Sequence, residues 1–127
     1  MKKIKLAITG YMGRMGRQLI RSANKNRNFK LVSLTENKKI SRKVLGIKPE
    51  LNSINAFKKA NVIVDFTIPR CTLDVLKIAV KLKKKVVIGT TGFTKKEESL
   101  IKIYSKKIPI LKAGNMSLGI NLLMFLT

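Results

Sequence analysis

Apolar residues in this chain follow two patterns in turn. Some cluster in short runs of strand length, and others recur every three or four residues over stretches of helix length. The runs place strands at Lys5–Thr9, Lys30–Leu34, Val62–Phe66, Val86–Gly89 and Ile108–Leu111. Helices are expected near Arg14–Lys25, Cys71–Lys83 and Lys95–Ser105, the second with an apolar stripe of Leu73, Leu76, Ile78, Ala79 and Leu82. Ser53–Ala60 reads as a short helix, and Lys38–Asn52 as a mobile or poorly patterned connection. Strand alternating with helix implies a parallel sheet with crossover helices: an α/β fold, a Rossmann-type doubly wound sheet in a single domain over residues 1–127.

In such a sheet ligands bind beyond the carboxyl ends of the strands, near the switch point of strand order. The glycine-rich turns of this chain fall there. Gly10-Tyr11-Met12-Gly13-Arg14-Met15-Gly16 follows the first apolar run and opens the first helix, so unpaired backbone N–H groups and a helix N-terminus would face the same point. Met12 occupies the place of the second glycine in the general G-x-G-x-x-G fingerprint, so a ligand-free strand-to-helix turn remains open on the motif alone. The second apolar run, Phe29 to Thr35, ends at Glu36, about 20 residues beyond Gly16, where a carboxylate would accept hydrogen bonds from adenosine ribose hydroxyls. Together the two features favour a dinucleotide.

Later strands end in Asp65-Phe66-Thr67-Ile68-Pro69, in Gly89-Thr90-Thr91-Gly92 and in Ala113-Gly114-Asn115-Met116-Ser117. The threonine turn suits a flat ring and a carboxamide or carboxylate. Thr91 and Thr94 are equally suited to capping a helix, which needs no ligand. Asp65 reads equally as a cap at its strand end and is left out of the candidate site.

Composition narrows the class. The chain has 127 residues, 45% of them hydrophobic, enough for one core. With a single cysteine, Cys71, an intramolecular disulfide is excluded, and a reducing cytoplasm is the expected location. Cys71 itself is a small residue at a helix start with nothing to activate it. The basic start is followed by an apolar run broken at Thr9-Gly10, too short for a signal sequence or a membrane span. Asn115-Met116-Ser117 fits a glycosylation acceptor but lacks a secretory context.

A net charge of +22 is the strongest rival indication, because it would suit a nucleic acid. The basic residues are mostly lysines spread along the chain, many of them at expected helix ends, and none is interleaved with aromatics as in single-strand binders. Nucleic acid is therefore the disfavoured partner, although the charge would attract anionic ligands.

In their order and separation, Gly10 to Gly16, Asp65-Phe66-Thr67, Gly89-Thr90-Thr91-Gly92-Phe93 and Asn115-Met116-Ser117-Leu118-Gly119-Ile120-Asn121 resemble the N-terminal domain of the 4-hydroxy-tetrahydrodipicolinate reductases. These are also called dihydrodipicolinate reductases, enzymes of lysine and diaminopimelate biosynthesis. The resemblance implies an NAD(P)H-dependent oxidoreductase that transfers hydride to a cyclic, dicarboxylated imine-type substrate. It implies that Gly10, Tyr11, Met12, Gly13, Arg14 and Met15 wrap the pyrophosphate, with Gly16 letting the helix pack. Glu36 would hold the ribose, Gly89, Thr90 and Thr91 would line the nicotinamide side, and Ala113, Gly114, Asn115 and Met116 would close the other side.

The chain departs from the family in two ways. Where many members have an arginine for the 2′-phosphate of NADPH, this chain has Asn37, followed by Lys38 and Lys39, so the cofactor is expected to be NADH, NADPH or both. The family's proton donor lies in a C-terminal domain marked by His-His-x-x-Lys, and this chain has no histidine. No catalytic residue and no metal ligand is therefore assigned here. Residues 118–127 read as the start of a helix cut short, so the chain is expected to be the cofactor-binding half of a homotetrameric enzyme, inactive without the missing domain. An inactive standalone NAD(P)-binding domain and a basic nucleic-acid module are the alternatives.

Overall fold

The structure is a computed structural model and describes residues 3–40, 43–115 and 121. Six strands form one parallel sheet: β1 (Ile4–Thr9), β2 (Phe29–Glu36), β3 (Glu50–Leu51), β4 (Val62–Asp65), β5 (Lys85–Ile88) and β6 (Ile110–Lys112). Their spatial order is β3-β2-β1-β4-β5-β6, so the chain leaves β1 in one direction and returns to its other side at β4. That reversal is the switch point at which doubly wound sheets open a crevice. The expected α/β Rossmann-type architecture is present.

Alternation along the strands sorts side chains onto the two faces of the sheet. Leu6, Ile8, Val62, Val64 and Val87 pack on one face against Leu19, Ile20 and Ala23 of α1 (Arg14–Lys25). Ala7, Ile63, Val86 and Ile88 pack on the other against α2 (Ile54–Phe57), α3 (Pro69–Leu82) and α4 (Lys95–Ser105). Fully buried side chains such as Leu6, Leu19, Ile63 and Leu76 each contribute about 1.5–3 kcal/mol.

Local chemistry accounts for the helix boundaries. Pro69 stands in the first turn of α3, where its missing N–H costs nothing. Thr94 caps α4 through a reciprocal pair: its hydroxyl accepts from the Glu97 N–H at 3.1 Å, and the Glu97 carboxylate accepts from the Thr94 N–H at 2.8 Å. Of the two threonines weighed as caps, Thr94 takes that role. α3 ends on Lys83 in the left-handed conformation, φ +55, a place that glycine usually fills.

Several elements differ from expectation. β2 continues to Glu36, and beside it lies β3, which falls inside the segment expected to be irregular. β3 is only two residues long, too short to leave a period in the sequence. β6 sits at Ile110–Lys112 rather than starting at Ile108, because Ile108 and Lys107 are bonded back to Tyr104 as the tail of α4. In the β1–β2 pairing Leu6 faces Leu31 while Ala7 faces Ser33, so Val32 is an extra residue that shifts the register. The helix expected over 118–127 lies outside the described residues, apart from residue 121. Among the described residues no helix is long and apolar enough to cross a membrane.

Candidate functional site

The glycine turn leaves β1 at Gly10, whose φ of +60 is a left-handed conformation that a side chain would strain. Gly16, in the first turn of α1, sits against the Gly10 carbonyl oxygen and the Tyr11 Cα so tightly that a methyl group there could not be accommodated. This contact seats the helix directly on the turn and aims its N-terminus across the end of β1. Gly13 is the N-cap and supplies no side-chain cap, and no acidic residue stands in the first turn. The first turn of α1 therefore brings no side-chain acceptor of its own to its N–H groups.

Not every N–H of the turn is available to a ligand. Tyr11 donates to the Thr35 carbonyl at 3.2 Å, and Gly13 donates to the Gly10 carbonyl at 3.1 Å. The Tyr11 side chain is buried in the core, and Met12 packs against the same cluster. The Met12 N–H donates to Glu36 Oε2 at 2.9 Å, so the acid at the end of β2 ties the middle of the turn to the neighbouring strand. Arg14 is exposed at the first helical position and Met15 is half-buried. The two sequence features that suggested a dinucleotide thus meet through a hydrogen bond, with Glu36 partly exposed beside it.

Across the switch point, a cleft of about 300 Å³ is lined by Thr90, Thr91, Gly92, Ala113 and Gly114 among others. The ends of β5 and β6 are therefore brought together, as the sequence candidates required. Lys112 and Glu98 form an ion pair of 3.2 Å at its edge, and the Lys112 ammonium lies 5.8 Å from the centre of the Phe93 ring. Gly89 has a different local partner: the ring of Phe66 occupies the space that a side chain at Gly89 would need. Asn115 is exposed, and Met116 lies outside the described residues.

Between the two halves lies a polar cluster that sequence reasoning missed. Asp65 is fully buried, and its Oδ1 accepts from the Thr67 hydroxyl. Burial pushes its carboxyl above the ordinary value, against the opposing pull of the Thr67, Thr9 and Thr72 hydroxyls around it. Asp65 does not cap α3, whose N-cap is Ile68. Thr90 Oγ1 accepts from the Thr67 N–H at 2.9 Å and from the Thr72 hydroxyl at 2.7 Å. Asp65-Phe66-Thr67 was visible in the sequence, but its partners lie at positions 72 and 90, and local spacing does not announce them. Cys71, at the start of α3, is buried, and burial raises its thiol pKa, which makes it a poor nucleophile. Among the described residues no group of three or more His, Cys, Asp or Glu side chains converges as a metal site would.

Comparison with known proteins bears on the family and the fold. Residues 4–116 match the family described as dihydrodipicolinate reductase, N-terminus. A 4-hydroxy-tetrahydrodipicolinate reductase of Pelagibacter ubique is 69% identical over 127 residues, covering 100% of this chain and 49% of the relative. One from Buchnera aphidicola of Acyrthosiphon pisum is 45% identical, covering 96% of this chain and 49% of its own length. The chain thus spans about half the length of the curated relatives it matches. Among solved structures, a dipicolinate-bound dihydrodipicolinate reductase from Paenisporosarcina superposes with a TM-score of 0.72 at 24% identity, over 87% of this chain and 47% of that one. A homoserine dehydrogenase of S. aureus gives 0.70 at 17% identity, over 88% of this chain and 32% of that one, so the fold extends beyond one activity. The chain belongs to the dihydrodipicolinate reductase N-terminal family.

Proposed function

We propose that this chain is the nucleotide-binding portion of a 4-hydroxy-tetrahydrodipicolinate reductase, with residues 1–127 its NAD(P)-binding domain and 118–127 leading toward a second domain. One observation carries the reading: the glycine turn, tied to Glu36 by the Met12 N–H, opens at the switch point between β1 and β4, and Thr67 links it to Thr90 at the end of β5, where Thr91, Ala113 and Gly114 line a cleft. The donor set suits a dinucleotide. A helix N-terminus without cap or first-turn acid favours a pyrophosphate, and the carboxylate at the end of β2 favours ribose hydroxyls. Gly10 to Met15 would hold the pyrophosphate, Glu36 the ribose, and Gly89 to Thr91 with Ala113 to Met116 the nicotinamide end.

Bound NADH or NADPH supplies the hydride. The chain's own residues orient it: the turn and α1 fix the phosphates, and the ends of β5 and β6 leave an open cleft for the ring and for a small cyclic dicarboxylate beyond it. Delivering a proton to the substrate nitrogen needs a general acid within reach, and none of these residues is suited to that role. Reduction therefore depends on the second domain, as does assembly into the tetramer that the family resemblance implies. Asn37, Lys38 and Lys39 are exposed just past Glu36, so lysines would act on a 2′-phosphate as point charges, and the cofactor is NADH, NADPH or both. A cytoplasmic location follows from the biosynthetic role proposed.

The test is a fluorescence titration of the chain with NADH and NADPH at low and high salt, with Gly13→Asp beside it. Gly13 is exposed with φ −74, so the variant keeps the fold while placing an anion where the phosphates would lie. Saturable binding that is lost in the variant is the expected result. Binding that collapses with salt and ignores the variant would support the polyanion reading instead.

A further inference from the structure

The two halves of the site are joined through one side chain. The Thr67 methyl lies against Gly10, so close that a methyl group on Gly10 would stand 2.6 Å from Thr67 Cγ2. Its hydroxyl donates to the buried Asp65, which anchors it from below. Its N–H donates to Thr90 Oγ1 at 2.9 Å, and Thr90 receives a second hydrogen bond, 2.7 Å, from the Thr72 hydroxyl in the first turn of α3. Gly10 begins the phosphate turn, and Thr90 belongs to the turn after β5. Thr67 thus meets both, with a different group for each.

The polarity of the cluster is also set. Thr67 commits its hydroxyl hydrogen to Asp65, and Thr72 commits its own to Thr90, so Thr90 Oγ1 accepts twice and keeps its hydrogen to donate. Asp65 Oδ1 is met by the Thr67 hydroxyl while its Oδ2 is buried with no hydrogen-bond partner, so in a site shielded from water the Thr67 contact is costly to lose. That contact holds Thr67 in place, and with it the spacing between the phosphate turn and Thr90.

We infer that Thr67, anchored by Asp65 and assisted by Thr72, is a positioning residue that holds the pyrophosphate turn and the Thr90 turn at the separation a dinucleotide must span. This rests on the cofactor reading above. Its consequence is that the nicotinamide end of the ligand gains affinity only while the joint is intact, whereas a ligand confined to the adenosine diphosphate end does not depend on it.

The experiment compares NADH with ADP-ribose, which lacks the nicotinamide, on the full chain by fluorescence titration and competition. Thr67→Ser removes the methyl facing Gly10 and keeps the hydroxyl and N–H. Thr72→Val removes the second donor to Thr90, matches its shape, and lies away from the phosphate turn. Each is expected to weaken NADH by about three- to tenfold while ADP-ribose stays within about twofold. Should Thr67→Ser fail to fold by circular dichroism, Thr72→Val alone decides the matter. Folded variants that weaken both ligands equally, or neither, overturn the inference and leave the cofactor reading standing. So does a parent chain that binds ADP-ribose as tightly as NADH. A parent chain that binds neither ligand overturns both.

Discussion

Asp65 is the residue whose environment departs furthest from its chemistry. Its carboxyl is fully buried, and desolvation raises its pKa above the ordinary 3.8 despite the threonine hydroxyls around it. A raised folded pKa means that the native state holds the proton where the unfolded chain has released it. Asp65's contribution to stability is therefore greatest below 3.8 and falls as pH rises from there through the raised value. Urea unfolding of the parent and of Asp65→Asn across that range should show the difference in stability shrinking or reversing with rising pH, with the asparagine variant gaining relative ground. A constant difference would mean that the carboxyl titrates normally. At this scale the sequence was readable where partners are near: Gly10, Gly13 and Gly16 form the turn into α1 and Glu36 ends β2 beside it, although Met12 departs from the general fingerprint. Thr67 was not readable as a joint, because Gly10, Asp65 and Thr90 converge on it only once β1, β4 and β5 are side by side. The role of Phe66 was hidden for the same reason.

Among the elements, the helix ends carry the clearest energetic consequences. Thr94 closes α4 through two reciprocal hydrogen bonds, and Thr94→Ala should cost about 1 kcal/mol in chemical denaturation, with a lower midpoint and unchanged slope. Lys83 closes α3 in a left-handed conformation, so Lys83→Gly should stabilise by about 0.5–1 kcal/mol in the same assay. α1, α3 and α4 were legible because each carries apolar residues at helical spacing and an end marked by proline, threonine or lysine. The strands flanking the switch point were legible as apolar runs. β3 was not, because two residues in a polar stretch carry no period, and the extra residue Val32 was not, because a register shift depends on the partner strand.

At the scale of the whole molecule, the parallel order and the crevice followed from alternation alone, since strand-helix-strand repeats admit few other arrangements. Charge is the less conventional property. A net +22 on 127 residues places like charges within a Debye length of one another over most of the surface, and the ion pairs seen among the described residues, Lys59–Glu50 and Lys112–Glu98, offset little of it. Self-repulsion should therefore lower stability at low ionic strength, and the melting temperature should rise as sodium chloride is added toward physiological levels. A flat response would show that the charges are spaced widely enough to ignore one another. The same field draws in anionic nucleotides regardless of identity, so affinity measured at one salt concentration says little about selectivity.

The Phe66 ring occupies the place where a side chain at position 89 would have to sit. The two positions are one volume shared between the ends of adjacent strands, and neither can be altered freely while the other stays as it is. Across descendants of this chain, enlargement at 89 would survive only alongside a smaller residue at 66. The pair would then be inherited as a unit, and a lone change at position 89 would mark a lineage in which the strand ends had already come apart.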